Sequence, residues 1–293
     1  MEAARKIAVV FLRIFGVCAL CTVMLGCVYL LENRGVKQEA QVIFVGTQED
    51  ADCSVLLSGE ACVVIDTGED KDAVHILEVL QENQVDKIDC LILTHPDKDH
   101  IGGAFYLLDH VPVEEVITPC YEGEKPLYKD LMERLETEHI PTEALSRDRL
   151  FTFGALDIRI FPPEDFHYEK SNDYSLAALV KHGDVTLFFA GDAEKERLGE
   201  LLKLDLPQVN VYKTAHHGRN SKRGVKLIEE LKPEYAVVTA QEPGDEIREA
   251  FRVIGTKVLT TVTQDIRFVS DGKKISPETE KRRSAPYNPE FSR

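Results

Sequence analysis

Four times along this chain an apolar stretch of strand length stops at a loop rich in aspartate or histidine. "VVIDTG" ends at Asp66, and "LTHPDKDHIGG" carries His95, Asp97, Asp99 and His100. "LFFAGD" ends at Asp192, and "VYKTAHHGRNS" carries His216 and His217. Strands that end on one edge of a sheet put their loops on one rim, where sites assemble. The second loop has its own logic. His95 and Asp97, at i and i+2, can aim at one ion, while Asp99 and His100 point elsewhere and can hold a second. Two ions about 3.5–4 Å apart clamp attacking and leaving oxygens, and Asp192 can bridge them. Gly102 and Gly103 let the backbone pack closely as it enters the next helix. Aspartate and glycine are also ordinary turn residues, so Asp66 or Asp192 alone says little. The conjunction of the four loops makes the case.

The surrounding pattern sets the fold class. "QVIFV", "CSVLLSG", "ACVVIDTG" and "IDCLILTH" read as strands. Residues 71–83 read as a helix with Val74, Ile76, Leu77 and Leu80 as its apolar positions. "GAFYLLDHV" suits a short helix, and "KPLYKDLMERLETEHI" an amphipathic one with Leu127, Leu131 and Leu135 on one face. The second half repeats the rhythm. "LFTFG", "ALDIRIF", "YSLAALVKHG" and "VTLFFAGD" read as strands. Helices over 193–204, 221–231 and 245–254 then alternate with strands over 209–214 and 235–239, and "KVLTT" and "IRFVS" close the body. Two successive strand-rich halves with helices predict an α/β chain with a sheet-on-sheet core and helices on the outer faces, over residues 41–272. The tail (273–293) is polar and proline-containing, and from Ser276 on it is expected to fray.

Residues 7–31, "IAVVFLRIFGVCALCTVMLGCVYLL", hold one charge, Arg13, in 25 residues. About 20 apolar residues span a bilayer as a helix. Segment 1–32 therefore reads as a transmembrane anchor, a cleaved signal peptide, or a lipoprotein signal with Cys27 acylated. The apolar run continues past Cys27 and is long for a signal, which favours the anchor. Arg5 and Lys6 precede it, as a cytoplasmic N-terminus requires. The body would then follow a linker (33–40) and sit outside the cytoplasmic membrane, single-pass. Formal charge is −16; residues 1–32 hold three basic and two acidic residues, leaving 32 and 49 in the body, a formal −17. Such a body is a poor trap for duplex nucleic acid, whose affinity comes mainly from Lys and Arg on phosphates. Cys53, Cys62, Cys90 and Cys120 are scattered without CxxC spacing, which argues against a zinc ribbon. One or two disulfides, or four free thiols, both fit.

The four loops resemble, in chain order, the signature of the metallo-β-lactamase superfamily. "THPDKDHIGG" with "HHGRNS" is similar to the extracytoplasmic hydrolase domain of ComEC/Rec2-type DNA-uptake proteins, and to phosphorylcholine esterases. The resemblance implies a four-layer αββα sandwich with metals at one edge of the two sheets. It implies that His95 and Asp97 hold a first divalent ion, that Asp99, His100 and His217 hold a second, and that Asp192 bridges. His216 would contact a phosphoryl oxygen or protonate the leaving group, and Asp66 would orient ligands from behind.

Three departures from the family pattern stand out. Asp97 replaces the usual second histidine, and its added carboxylate opens the site to Mn²⁺ as well as Zn²⁺. The later histidine is missing; "SNDYSL", with Asn172 and Ser175, stands there, which leaves the first ion weakly held or served by Asp173. A Gly-His-Pro is replaced by "AQEPGDE", which bears on substrate identity. The expectation is a metal-dependent phosphodiesterase or nuclease that uses metal-activated water, with Asp99 also able to take the water's proton. Its substrate would be a small, cell-wall or nucleic-acid diester. Ser221 would donate to phosphate or cap the following helix, the latter being commoner. Two alternatives are hydrolysis of a thioester or amide, and a surface binding protein with a degenerate site.

Overall fold

The computed structural model describes residues 39–281 apart from 49 and 263. The expected anchor and most of the linker lie outside the described residues. Among those described, no helix is long and apolar enough to cross a membrane. The first half runs β1 (Ala40–Phe44), β2 (Ser54–Ser58), β3 (Ala61–Ile65), α1 (Ala73–Glu82), β4 (Cys90–Ile92), α2 (Lys98–Ile101), α3 (Ala104–His110), β5 (Val116–Pro119), α4 (Pro126–Thr137) and β6 (Thr142–Leu145). The second runs β7 (Arg149–Phe153), β8 (Leu156–Phe161), β9 (Ala177–His182), β10 (Val185–Phe189), α5 (Lys195–Leu201), β11 (Val211–Lys213), α6 (Lys222–Leu231), β12 (Tyr235–Val238), α7 (Asp245–Ile254), β13 (Lys257–Thr260), β14 (Gln264–Ser270) and β15 (Ile275–Lys281).

These strands make two mixed sheets, ordered β15-β14-β1-β2-β3-β4-β5-β6 and β13-β12-β11-β10-β9-β8-β7. Strand alternation builds the layers. In β3, Val63 and Ile65 join the core between the sheets, while Cys62 and Val64 face the helices. In β10, Leu187 and Phe189 point inward and Phe188 outward. Helices α1, α3 and α4 cover one outer face through Ile76, Leu80, Leu107, Leu131 and Leu135. Helices α5, α6 and α7 cover the other through Leu198, Leu227, Ile228 and Phe251.

The second half of each sheet is parallel: β3 through β6, and β10 through β13. Parallel neighbours end at the same edge. That is why the loops after β3, β4, β10 and β11 meet.

Several expectations are corrected. The chain does not fray at Ser276; β15 pairs along all of β14, from Ser270 opposite Ile275 to Gln264 opposite Lys281. Strand β6 was missed, because its "TEAL" is mostly exposed and lacks an apolar run. Val74 is 44% exposed, and Val79 takes its place on the buried face of α1. The four described cysteines are free thiols, with Cys53, Cys62 and Cys90 buried.

The glycine pair after the quoted turn is sterically required. A Cβ on Gly103 would lie 2.2 Å from the Thr67 carbonyl oxygen. That contact locks the turn against the loop after β3, where Thr67 N donates to His100 O at 2.7 Å. Gly103→Ala is expected to cost about 1–3 kcal/mol in urea unfolding through overpacking against backbone. Val253→Ala, at a side chain 70% exposed, should stay within about 0.5 kcal/mol.

Candidate metal centre

Asp66 leaves β3 with a left-handed φ of 60° and turns its carboxylate under the next loop. Oδ1 accepts from Thr94 N at 2.7 Å; Oδ2 accepts from Thr94 Oγ1 at 2.8 Å and from His100 Nδ1 at 2.8 Å. The His100 Nδ1–H is thereby held by Asp66, and Nε2 faces the rim. Since the Thr94 hydroxyl donates to Asp66, it accepts from His95 Nδ1 at 3.1 Å. His95 Nε2 is then a lone pair.

His217 reaches the rim from the other sheet. Its Nδ1 contacts Thr239 Oγ1 at 2.9 Å and Asp52 Oδ1 at 3.3 Å. Asp52 is itself ion-paired with the buried Lys213. Asp192 is placed by its own N–H, which donates to Ser175 Oγ at 2.9 Å. His216, His217 and Gly218 have φ of 48°, 53° and 82°. Successive left-handed residues carry backbone strain of a kind concentrated at functional sites.

The result is a cage. Asp99, His100, Asp192 and His217 each offer a ligand atom, all within 4.8 Å of one another. His100 Nε2 lies 3.2 Å from Asp192 Oδ1, and His217 Nε2 lies 3.1 Å from Asp192 Oδ2 and 3.4 Å from Asp99 Oδ2. His95 Nε2, His100 Nε2, His217 Nε2 and Asp192 Oδ1 are buried without a hydrogen-bond partner. Converging Nε2 atoms of two buried imidazoles and oxygens of two carboxylates, Asp192 buried and Asp99 half-buried, suit a divalent ion.

Asp97 does not join the cage. Its Oδ1 lies 4.0 Å from His95 Nε2, while its two oxygens accept from Lys125 Nζ at 2.5 Å and Ser171 Oγ at 3.1 Å. Asp173 Oδ1 accepts from Glu194 N and Arg197 N at the start of α5, both at 3.0 Å. Ser221 caps α6, accepting from Gly224 N at 3.2 Å.

His216 stands at the mouth, with Nε2 3.9 Å from Asp192 Oδ2. It accepts there from Arg219 Nη1 at 3.0 Å, and Asn172 Nδ2 lies 3.3 Å away. An arginine can only donate, so the His216 proton sits on Nδ1, facing Glu194 Oε1 at 3.6 Å. Beyond it opens a cavity of about 540 Å³ lined by Lys170, Lys195, Leu198, Tyr212, Arg219 and Ser221.

Asp52, Thr94, Lys125, Glu194, Lys213 and Thr239 escaped sequence reasoning. Lys213 lies three residues before the histidine pair, in a stretch already singled out. Asp52 stands in the β1–β2 connection, where nothing local marks it.

Burial opposes charge on His100 and His217. The surrounding carboxylates (Asp192, Asp66 and Asp52 for His100; Asp192 and Asp52 for His217) overcome it and lift both well above the ordinary histidine value. Burial and the charge of His100 push His95 down to about 3. Burial, against the pull of Asp192, holds His216 below its usual value. Without metal the two raised rings keep their protons. The stability they contribute is complete below an unfolded value of about 6.5 and is lost as pH climbs through their raised folded values. An ion must displace both protons. Metal affinity should therefore rise with pH, by up to about two decades per unit, and calorimetry in two buffers should show proton release. Affinity independent of pH, with no proton released, would contradict this ligand set.

The Metallo-beta-lactamase superfamily profile matches residues 46–240. ComE operon protein 3 of Bacillus subtilis (strain 168) is 28% identical over 167 residues, which is 56% of this chain and 21% of that protein. Recombination protein 2 of Haemophilus influenzae is 25% identical over 167 residues, covering 57% of this chain and 19% of that protein. The matched region thus spans about a fifth of either relative. Among solved structures, the metallo-beta-lactamase fold protein YhfI from Bacillus subtilis superposes with a TM-score of 0.53 at 13% identity, over 82% of this chain and 100% of that one. Two sheets with outer helices, four loops on one rim and the matching profile agree: the chain belongs to the metallo-beta-lactamase superfamily.

Proposed function

We propose that this protein is a metal-dependent phosphodiesterase that cleaves its substrate with water. The observation that carries the reading is the cage of Asp99, His100, Asp192 and His217 with His216, Arg219 and Asn172 grouped beside it. Asp99, His100, Asp192 and His217 would hold a divalent ion, which would supply Lewis acidity for activating water and a phosphoryl group.

The chain's own residues do the rest. Asp99 is the most exposed member of the cage, its side chain 30% exposed against 3% or less for the other three, so it is placed to take the proton of the attacking water. Arg219 and Asn172, both at His216, suit the non-bridging oxygens of an anionic diester. His216 accepts at Nε2 in this state. A proton taken up there from solvent in place of the Arg219 contact can pass to the leaving oxygen. The cavity beyond has room for a leaving group.

One relative is named a recombination protein, which brings a nucleic-acid diester forward. The acidic body favours a short or single-stranded one over long duplex. With segment 7–31 as an anchor, the domain works at the outer face of the cell membrane. Zn²⁺ and Mn²⁺ both suit two imidazoles and two carboxylates.

Metal-stripped protein is expected to hydrolyse bis(p-nitrophenyl) phosphate only after Mn²⁺ or Zn²⁺ is restored. Asp99→Ala should lose more than about 100-fold, since altering groups behind the ligands alone costs about 10–100-fold. His216→Ala should keep its metal and lose about 10²–10⁴-fold in kcat. Cleavage of thioesters or amides, with none of the diester, would move the protein to another branch of the superfamily's chemistry.

A further inference from the structure

The sequence pattern pairs His95 and Asp97 as ligands of a first ion, but the structure gives Asp97 other work. Lys125, the residue before Pro126 at the start of α4, donates from Nζ to Asp97 Oδ1 at 2.5 Å and to Ser171 Oγ at 2.9 Å. Ser171 Oγ in turn donates to Asp97 Oδ2 at 3.1 Å. The triangle is closed, and both carboxylate oxygens are engaged by protein donors.

The remaining ligands do not make up the loss. Where the family carries a later histidine, Ser175 is occupied with the Asp192 N–H and Asn172 with Glu194 and His216. A first ion would be left with His95 Nε2 and a shared oxygen of Asp192. Catalytic sites supply three protein ligands and a water. Charge points the same way. Asp97, Asp99 and Asp192 carry −3, and one divalent ion with one ammonium group supplies +3. The Lys125 side chain, beside the cage through Asp97, is 37% exposed.

We propose that this protein works with one metal ion, and that Lys125 takes the place of the family's first ion as the second cation of the centre. The ammonium group holds Asp97 and offers a proton donor to a phosphoryl oxygen. The proposal rests on the metal-dependent reading above, but it concerns the number of ions and does not depend on which ester is cleaved.

The test titrates the metal-stripped full-length protein with Mn²⁺, read by elemental analysis and by electron paramagnetic resonance. The wild type should bind one ion per chain and give a mononuclear spectrum. Lys125→Met frees Asp97 and should bind two, with the exchange-coupled signal of a close pair. Lys125→Arg, which keeps the charge, should stay at one. Two ions in the wild type would overturn the proposal while leaving the metal-dependent reading intact, and this outcome does not depend on any variant folding. One ion in a folded Lys125→Met would also overturn it, since the lysine would then not be what excludes the second. No ion in any of the three would overturn the cage and the proposal together.

Discussion

The bond between the Asp66 carboxylate and the His100 imidazole organises this end of the molecule. It joins the loop after β3 to the loop after β4, holds the Nδ1–H of His100, and through Thr94 orients His95 as well. Asp66 does this from a left-handed backbone position, where an aspartate is among the few side chains tolerated at modest cost. Two adjacent parallel strands bring the partners together, and the Gly103–Thr67 contact leaves no room for them to drift. The cage is thus pre-organised by hydrogen bonds outside it, as catalysis by a metal requires.

On the opposite wall the same task falls to a buried ion pair. Lys213 and Asp52 are almost fully enclosed, and Asp52 turns its other oxygen to His217 Nδ1 at 3.3 Å. Buried pairs are weak evidence of stability, since apolar replacements are often neutral or better. The value of this one is geometric: it pins a carboxylate that aims a ligand, and the lysine keeps that carboxylate charged.

Much of this was legible before any coordinates. The apolar runs in "ACVVIDTG" and "VTLFFAGD" mark buried strands, though not which residue faces which layer, and four strand-end loops gave the rim. What sequence reasoning missed shares a physical character. Asp52, Lys125 and Lys213 act through partners distant in the chain, and no local spacing announces such a contact. Asp97 shows the same limit in reverse. At i+2 from His95 it has the right local geometry for a ligand, yet its orientation is decided by a lysine 28 positions away. Strand β6 and the continuation into β15 were missed for a simpler reason: they are polar strands held by backbone pairing, and backbone pairing leaves no mark on composition.

The three left-handed residues at 216–218 have an evolutionary implication. His216 and His217 are chemically identical, and only the path of the main chain tells one to face the cage and the other the mouth. The assignment of duties is therefore written in torsion angles and not in the alphabet. A single-residue deletion in this loop would preserve a histidine and erase a function. Drift at these two positions is confined to residues that accept the left-handed region, a small set in which asparagine and glycine stand foremost. The loop can lose its chemistry by many routes, but it can change it gradually by very few.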